Sequence, residues 1–277
     1  MPGANPHAML LGTRTTALYV GHDRVLAKTA SGLKMFLDAR DRSIAPHIML
    51  DGVWEESTEA VLRKLVKPGM CVLEIGANVG YFTLVLAQLV GAGGRVAAFE
   101  ADPDLAQIVR ENIEMNGFHR HAAVHAQAVS DGGAEELTFY RAIRHRGNGS
   151  LLAIEQTPHN PEGEREAIVV PATTIDAFAR SAGITPTAIK IDAEGAEPAI
   201  LRGATHTLAD PALRVLMLEF SPAFVQAAGA DPRAYLESIE RNGFRLSLIE
   251  HRKRRMLPAT IEGLLSEDLI EIVALRD

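Results

Sequence analysis

Short apolar runs open the chain. Leu18-Tyr19-Val20, Val25 to Lys28 and Leu33 to Leu37 are each of strand length, with Gly21-His22-Asp23 as a turn between the first two. From Ser57 the period changes: Val61, Leu62, Leu65 and Val66 recur at helical spacing, and Pro68-Gly69 stops the helix. Beyond that stop, strand and helix patterns alternate. Cys71 to Ile75 predicts a strand, Gly80 to Val90 a helix ended by Gly91, Gly93 and Gly94, and Arg95 to Glu100 a second strand. Asp102-Pro103 has the form of an N-cap followed by proline in the first helical turn, and Asn116-Gly117 closes that helix. Val124 to Val129 predicts a third strand. Ile189 to Asp192 and Val215 to Phe220 are almost wholly apolar runs ending in acids, as strands buried on both faces should be, and Glu197 to Arg202 begins a helix between them. Asp231-Pro232 opens a helix that Asn242-Gly243 ends, after which Phe244 to Ile249 and Leu269 to Leu275 predict a closing strand pair.

This alternation predicts a doubly wound α/β sheet, with residues 1–56 as a β-rich N-terminal cap and 57–277 as the main domain. Residues 141–166, rich in Arg, Gly, Asn, His, Pro and Glu, break the pattern, and a loop of that length is expected to be a lid or binding segment.

Composition narrows the function classes. With 277 residues and 47% hydrophobic side chains, the chain can build a large core and is neither disordered nor collagen-like. Cys71 is the single cysteine, so no disulfide framework is possible, and no apolar run approaches the ~18 residues of a membrane span. The first twelve residues lack a charged segment followed by an apolar one, which makes a cytoplasmic, reducing location the expectation. The 28 basic and 35 acidic side chains leave a net charge of −7, the wrong sign for neutralising nucleic-acid phosphates. Two basic stretches run against that average: Arg141, Arg144, His145 and Arg146, and His251 to Arg255. Without interleaved aromatics they are expected to be solvated loop charge, the alternative being local recruitment of an anionic substrate.

Ligands of an open parallel sheet bind beyond the carboxyl ends of its strands, and acids close four of them: Glu74, Glu100, Asp192 and Glu219. The first strand runs into Glu74-Ile75-Gly76-Ala77-Asn78-Val79-Gly80, an E-x-G-x-x-x-G turn whose glycines let the backbone pass close to a ligand. A dinucleotide site would have a glycine where Glu74 stands, and a carboxylate there repels pyrophosphate and attracts an ammonium. Glu100 can accept hydrogen bonds from a ribose. A ligand with both groups and no phosphate is S-adenosyl-L-methionine.

The stretches Leu73 to Leu84, Phe99 to Pro103, and Ile189 to Glu197 followed by Leu201-Arg202-Gly203-Ala204 resemble the FkbM-type S-adenosylmethionine-dependent methyltransferases. The resemblance covers roughly residues 50–275 and includes Trp54-Glu55-Glu56. It implies a class I methyltransferase, Rossmann-like three-layer fold: about seven mostly parallel strands with an antiparallel last one. It further implies that Glu74, Gly76 and Asn78 contact the methionine part of the cofactor and Glu100 the ribose. Ala77, Gly80 and Tyr81 belong to the same turn, Ala101, Gln127 and Ala128 flank the adenine, and Glu55 with Trp54 closes over the cofactor. Members mostly methylate hydroxyls of sugars, glycolipids or polyketide-like products. Pro198 and the 141–166 segment depart from the family pattern, so the acceptor is not carried over.

Methyl transfer to an alcohol is an in-line displacement that needs alignment and a proton acceptor. Asp192 or Glu194, after the fourth strand of the main domain, is the expected general base, and His159 in the lid is an alternative. Asn148, Ser150 and Glu219 are expected to face the substrate. No metal is expected, although Asp192 and Glu219 stand where some relatives of the fold hold Mg²⁺; Phe220 follows Glu219 in place of an amide ligand. His119, His121 and His125 lack the accompanying ligands of a zinc site. Three alternatives remain to O-methylation without metal: a metal-assisted O-methyltransferase, an NAD-dependent dehydrogenase, and an inactive S-adenosylmethionine-binding interaction module. Neither nucleic acid nor membrane is an expected partner, and a homodimer stays open.

Overall fold

A computed structural model describes residues 17–153 and 164–277. It begins with a three-stranded antiparallel sheet of β1 (Ala17–Gly21), β2 (Arg24–Lys28) and β3 (Lys34–Asp38). Two helices follow, α1 (Ala45–Asp51) and α2 (Glu56–Leu65). The alternating part runs β4 (Cys71–Ile75), α3 (Tyr81–Val90), β5 (Arg95–Phe99), α4 (Pro103–Met115) and β6 (Ala122–His125). Then come β7 (Ala128–Val129), β8 (Glu136–Ala142), β9 (Arg165–Thr173) and α5 (Ile175–Ala182). The chain returns to the main sheet with β10 (Ala188–Ile191), α6 (Glu197–Arg202), α7 (Thr205–Ala209) and β11 (Val215–Phe220). It ends with α8 (Pro222–Ala227), α9 (Pro232–Arg241), β12 (Arg245–Glu250), β13 (Arg255–Pro258), α10 (Ile261–Leu265) and β14 (Ile270–Leu275).

The main sheet has the order β13-β12-β14-β11-β10-β4-β5-β6. The strands from β11 through β6 are parallel, and β14 is antiparallel to both neighbours, β11 and β12. This is the expected α/β architecture with its antiparallel last strand; β13 adds an eighth strand at the edge. Successive side chains leave a strand on opposite faces, and the core divides accordingly. Val72, Val96, Ala98, Ala188 and Met217 pack with α2, α3 and α4 on one face. Leu73, Ile75, Phe99, Ile189, Ile191 and Leu218 pack with α5, α6 and α9 on the other. The layers are thus helix, sheet, helix. No helix among the described residues is long and apolar enough to cross a membrane.

The N-terminal sheet is built onto this frame. Val25, Ala27, Met35 and Leu37 belong to the same core as α3 and α4. Asn112 of α4 accepts from the Phe36 amide at 2.6 Å and donates to its carbonyl at 3.0 Å, so a buried amide side chain replaces the strand partner β3 lacks on that side.

Two expectations need correction. The third strand, read from Val124 to Val129, is two strands in different sheets: β6 continues the main sheet, whereas β7 pairs with β9. The segment 141–166 is not a loop throughout. Its ends are strands, since β8 and β9 form an antiparallel hairpin with Ala142 opposite Arg165, and residues 146–148 form a 3₁₀ turn inside it.

Candidate active site

A cavity of about 450 Å³ opens at the carboxyl ends of β4, β5, β10 and β11, where an open parallel sheet takes its ligands. Its floor is the turn after β4. The Gly76 and Ala77 amides both donate to the Phe99 carbonyl at 3.0 Å, drawing the turn against β5. Gly76 has φ +84°, and a Cβ there would lie 1.8 Å from the Asp192 carbonyl oxygen, so only glycine fits. Asn78 also holds a left-handed backbone, φ 53°, which points its amide at Glu100.

Glu100 is buried and held by two backbone amides, Asn78 N at 2.7 Å on Oε2 and Asp102 N at 2.8 Å on Oε1. Burial pushes its carboxyl up to about 7 against those two donors. Asp102 caps α4 through the Asp104 amide, as its position before Pro103 predicts.

Glu74 stands elsewhere. The parallel register sets it beside Lys190 of β10 on the face covered by α3, where Thr83 Oγ1 donates to its carboxylate at 2.5 Å. Burial pushes its carboxyl up to about 7, with the Lys190 charge opposing. The ammonium that Glu74 calls for is thus supplied by the chain itself, and Glu74 does not line the cavity. Lys190 does; its Nζ lies 2.9 Å from Asp192 Oδ2 and 4.7 Å from the Phe82 ring centroid. Burial works against that ammonium, but Asp192, Glu55 and Glu74 outweigh it and hold the charge.

The opposite wall is acidic. Asp192, Glu194 and Glu219 offer carboxylate oxygens within 4.8 Å of one another, and Glu55 lines the same cavity. Burial, then the Asp192 charge, pushes both Glu55 and Glu194 up to about 8. The same causes raise Glu219 well above the carboxylate range, and its Oε2 is enclosed without a hydrogen-bond partner. Local backbone presents these acids. Glu55 and Glu194 are left-handed at φ 43° and 49°, conformations a side chain adopts only when its surroundings impose them. At Glu194 the surroundings are visible: Glu197 accepts from the Ala193 amide at 2.8 Å, and Ser150 Oγ donates to the Glu194 carbonyl at 2.7 Å.

Most residues singled out in the sequence therefore converge. Glu55, Gly76, Ala77, Asn78, Tyr81, Glu100, Ala101, Gln127, Ala128, Asn148, Asp192, Glu194 and Glu219 line the cavity. Glu74, Gly80 and Ser150 do not: Gly80 caps α3, and Ser150 is buried beneath the Glu194 turn. His159 lies outside the described residues. His121 Nε2 is 3.1 Å from the Ala87 carbonyl, and His125 stacks on Phe99. Lining residues the sequence reading missed include Arg42, Ile44, His47 and Lys190. Only Lys190, two residues before Asp192 and alone among apolar neighbours in a buried strand, carried a legible signal. Arg146, expected in a solvated loop, lines the cavity as well and is buried.

Curated relatives match over short stretches. A protein-L-isoaspartate O-methyltransferase from Aeropyrum pernix is 40% identical over 75 residues, 27% of this chain and 29% of that protein. A human transmembrane O-methyltransferase is 40% identical over 63 residues, 22% of each chain. This chain thus spans less than a third of the length of either. Among solved structures, an S-adenosylmethionine-dependent O-methyltransferase from Thermotoga maritima is similar at 15% identity and TM-score 0.44, over 94% of this chain and 85% of that one. An O-methyltransferase from Bacillus cereus in complex with S-adenosylhomocysteine is similar at 18% identity and TM-score 0.44, over 79% and 81%. The family profile of the methyltransferase FkbM domain matches residues 74–246, from Glu74 in β4 to the start of β12. The chain belongs to the FkbM methyltransferase family, whose methyl donor is S-adenosyl-L-methionine.

Proposed function

We propose that the protein is an O-methyltransferase acting on a hydroxyl of a small molecule, sugar or natural product. The observation that carries this reading is one cavity with two unlike walls. On one side stand the Gly76 turn, Glu100 and the apolar Phe99, Leu105 and Val129, which suit an adenosine; on the other stand Asp192, Glu194 and Glu219. A bound cofactor supplies a methyl group activated by the sulfonium, and S-adenosylhomocysteine leaves with the carbon–sulfur electron pair.

The chain has to align the acceptor and remove its proton. Glu194 is the general base in this reading. With its carboxyl near 8, its conjugate acid is weak enough to hold a proton taken from an alcohol as the oxygen attacks, whereas Asp192 is occupied by Lys190. Ionised carboxylates in this wall compensate a positively charged methyl donor and repel phosphate, while Lys190 holds Asp192 in place. The Glu194→Gln variant is expected to lose roughly 10²- to 10⁴-fold in kcat while retaining S-adenosylhomocysteine binding. Transfer of a labelled methyl from S-adenosyl-L-methionine to small molecules of a cell extract, with the product identified as a methyl ether, tests the reaction class. Turnover unchanged in Glu194→Gln overturns the base, and a label found only on nitrogen or carbon overturns O-methylation.

A second reading has a specific observation behind it. The sequence set a metal aside because Phe220 fills the place of an amide ligand; the fold brings Glu194 to Asp192 and Glu219 instead, three oxygen donors at a spacing that a hard divalent cation can bridge. Asp192, Glu194 and Glu219 would hold Mg²⁺, which would supply Lewis-acid activation of an acceptor hydroxyl. Chelation by EDTA that abolishes activity, restored by Mg²⁺, supports the metal-assisted reaction, and full activity in EDTA excludes it.

A further inference from the structure

Three segments distant in sequence meet beside Glu100: residues 38–43 at the end of β3, residues 100–104 entering α4, and residues 144–147 after β8. Arg146 joins them. Its guanidinium is buried, with Nη2 3.0 Å from Asp102 Oδ2 and 3.6 Å from Asp104 Oδ2, and Nη1 3.6 Å from Asp38 Oδ2. Arg141 takes the other Asp102 oxygen at 3.0 Å. The backbones are tied at the same place: Arg146 N donates to Asp41 Oδ1 at 3.2 Å, and Arg42 N to the Arg144 carbonyl at 2.9 Å. Gly147 also lies against the floor turn, since a Cβ there would be 3.1 Å from Asn78 Nδ2.

The chain of contacts continues into the site. Asp102, gripped by two arginines through its side chain, donates its own amide to Glu100 Oε1. A planar guanidinium with fixed donors suits this task, because moving it displaces Asp102 and with it one of the two amides that aim Glu100. Arg42, Ile44 and His47 from the N-terminal segment and His145 and Gly147 from the segment after β8 line the same cavity.

We propose that Arg146 is a positioning residue for the adenosine side of the cofactor site, and that residues 39–47 and 144–147 form one roof over it, locked through Asp102 to Glu100. The proposal rests on the reading of this cavity as the cofactor site. Isothermal titration of the full chain with S-adenosylhomocysteine and with methylthioadenosine, which lacks the amino-acid tail, tests it. In Arg146→Met both ligands are expected to weaken by the same factor, roughly ten- to a hundredfold, as for loss of a charged hydrogen bond. Arg146→Lys keeps the charge without the fork and should lose less. Hydrogen exchange of residues 39–47 should quicken in Arg146→Met. A merely structural role would lower stability without these matched losses. A folded Arg146→Met binding both ligands as wild type does overturns the proposal; if that variant fails to fold, wild-type affinities in Arg146→Lys overturn it. Wild-type protein that binds neither ligand sinks the reading of the cavity together with the clasp, whereas tight wild-type binding abolished by Glu100→Gln but untouched at Arg146 sinks the clasp alone.

Discussion

Gly76 shows how one missing side chain sets the geometry of the site. Its φ of +84° is a conformation that costs an ordinary residue about 1–3 kcal/mol, and the space for a Cβ is already filled by the Asp192 carbonyl oxygen at 1.8 Å. The backbone of the β4 turn thus touches the backbone of the β10 turn, which is why the floor and the acidic wall share one cavity. In Gly76→Ala these two turns must part. The Asn78 amide then leaves Glu100, and Asp192 shifts relative to Lys190. We expect a loss of about 2 kcal/mol in stability, which for a chain of this size lowers Tm by roughly 3–4 °C. The stabilisation that saturating S-adenosylhomocysteine gives the wild type should also disappear. Calorimetry with and without ligand checks both; an undiminished ligand-induced shift would mean that the floor is not where the cofactor rests.

At the scale of elements, the β8–β9 hairpin joins the acidic wall to the roof, and Ser150 is its pin. Buried and bridged to Tyr140 of β8, Ser150 donates its Oγ hydrogen to the Glu194 carbonyl at 2.7 Å and accepts from the Leu152 amide at 3.0 Å. Ser150→Ala leaves that carbonyl without its donor and frees a turn held at φ 49°. The expected loss is about 1 kcal/mol in stability, with kcat falling further than the affinity for S-adenosylhomocysteine, because Glu194 moves and Glu100 does not. Equal losses in both would place Ser150 outside the acceptor wall. The hairpin is also the part the sequence concealed. Strand and helix boundaries in the main domain were legible because buried parallel strands are continuously apolar and helices carry caps such as Asp102-Pro103 and Asp231-Pro232. By contrast β9, Arg165–Thr173, is largely exposed and contains Pro171, a residue that argues against a strand and is tolerated here opposite Glu136. The short α1 was missed because its seven residues are too few for a periodic stripe. Strand-end acids drew attention to the right wall, but spacing along the chain could not show that Glu74 turns towards Lys190; that follows from a strand register set by the whole sheet.

For the whole molecule, the concentration of acids in one cavity makes stability depend on pH in an unusual direction. Burial raises Glu74, Glu100 and Glu197 to about 7, Glu55 and Glu194 to about 8, and Glu219 well above the usual carboxylate range, all from a value of 4.5 in the unfolded chain. Between pH 4.5 and 8 the folded protein therefore holds protons that the unfolded chain has released. Stability carried by a raised carboxyl is present below its unfolded value and is lost as pH rises towards its folded one, so stability must fall across this window. His125 opposes this: burial lowers its affinity for a proton, which favours folding as pH rises through about 6.5. Among the described residues it is one group against six. Lys190 is raised too, but its contribution is lost only at strongly alkaline pH. Each net proton held by the fold is worth about 1.4 kcal/mol per pH unit. We therefore expect Tm of the ligand-free protein to decline from pH 6 to pH 8 by several degrees, where many proteins show a plateau. Glu194→Gln, which removes one titrating group and one mutual repulsion, should make the decline shallower. S-adenosyl-L-methionine should do the same, since its positive charge favours ionised carboxylates, while S-adenosylhomocysteine, with a neutral sulfur, should do so less. Thermal scans across buffers of constant ionic strength distinguish these cases. A Tm that rises over the interval, or a decline equally steep with and without S-adenosyl-L-methionine, would show that the carboxylates are neutralised by groups within the protein and that the acidic wall is not turned towards the cofactor's charge.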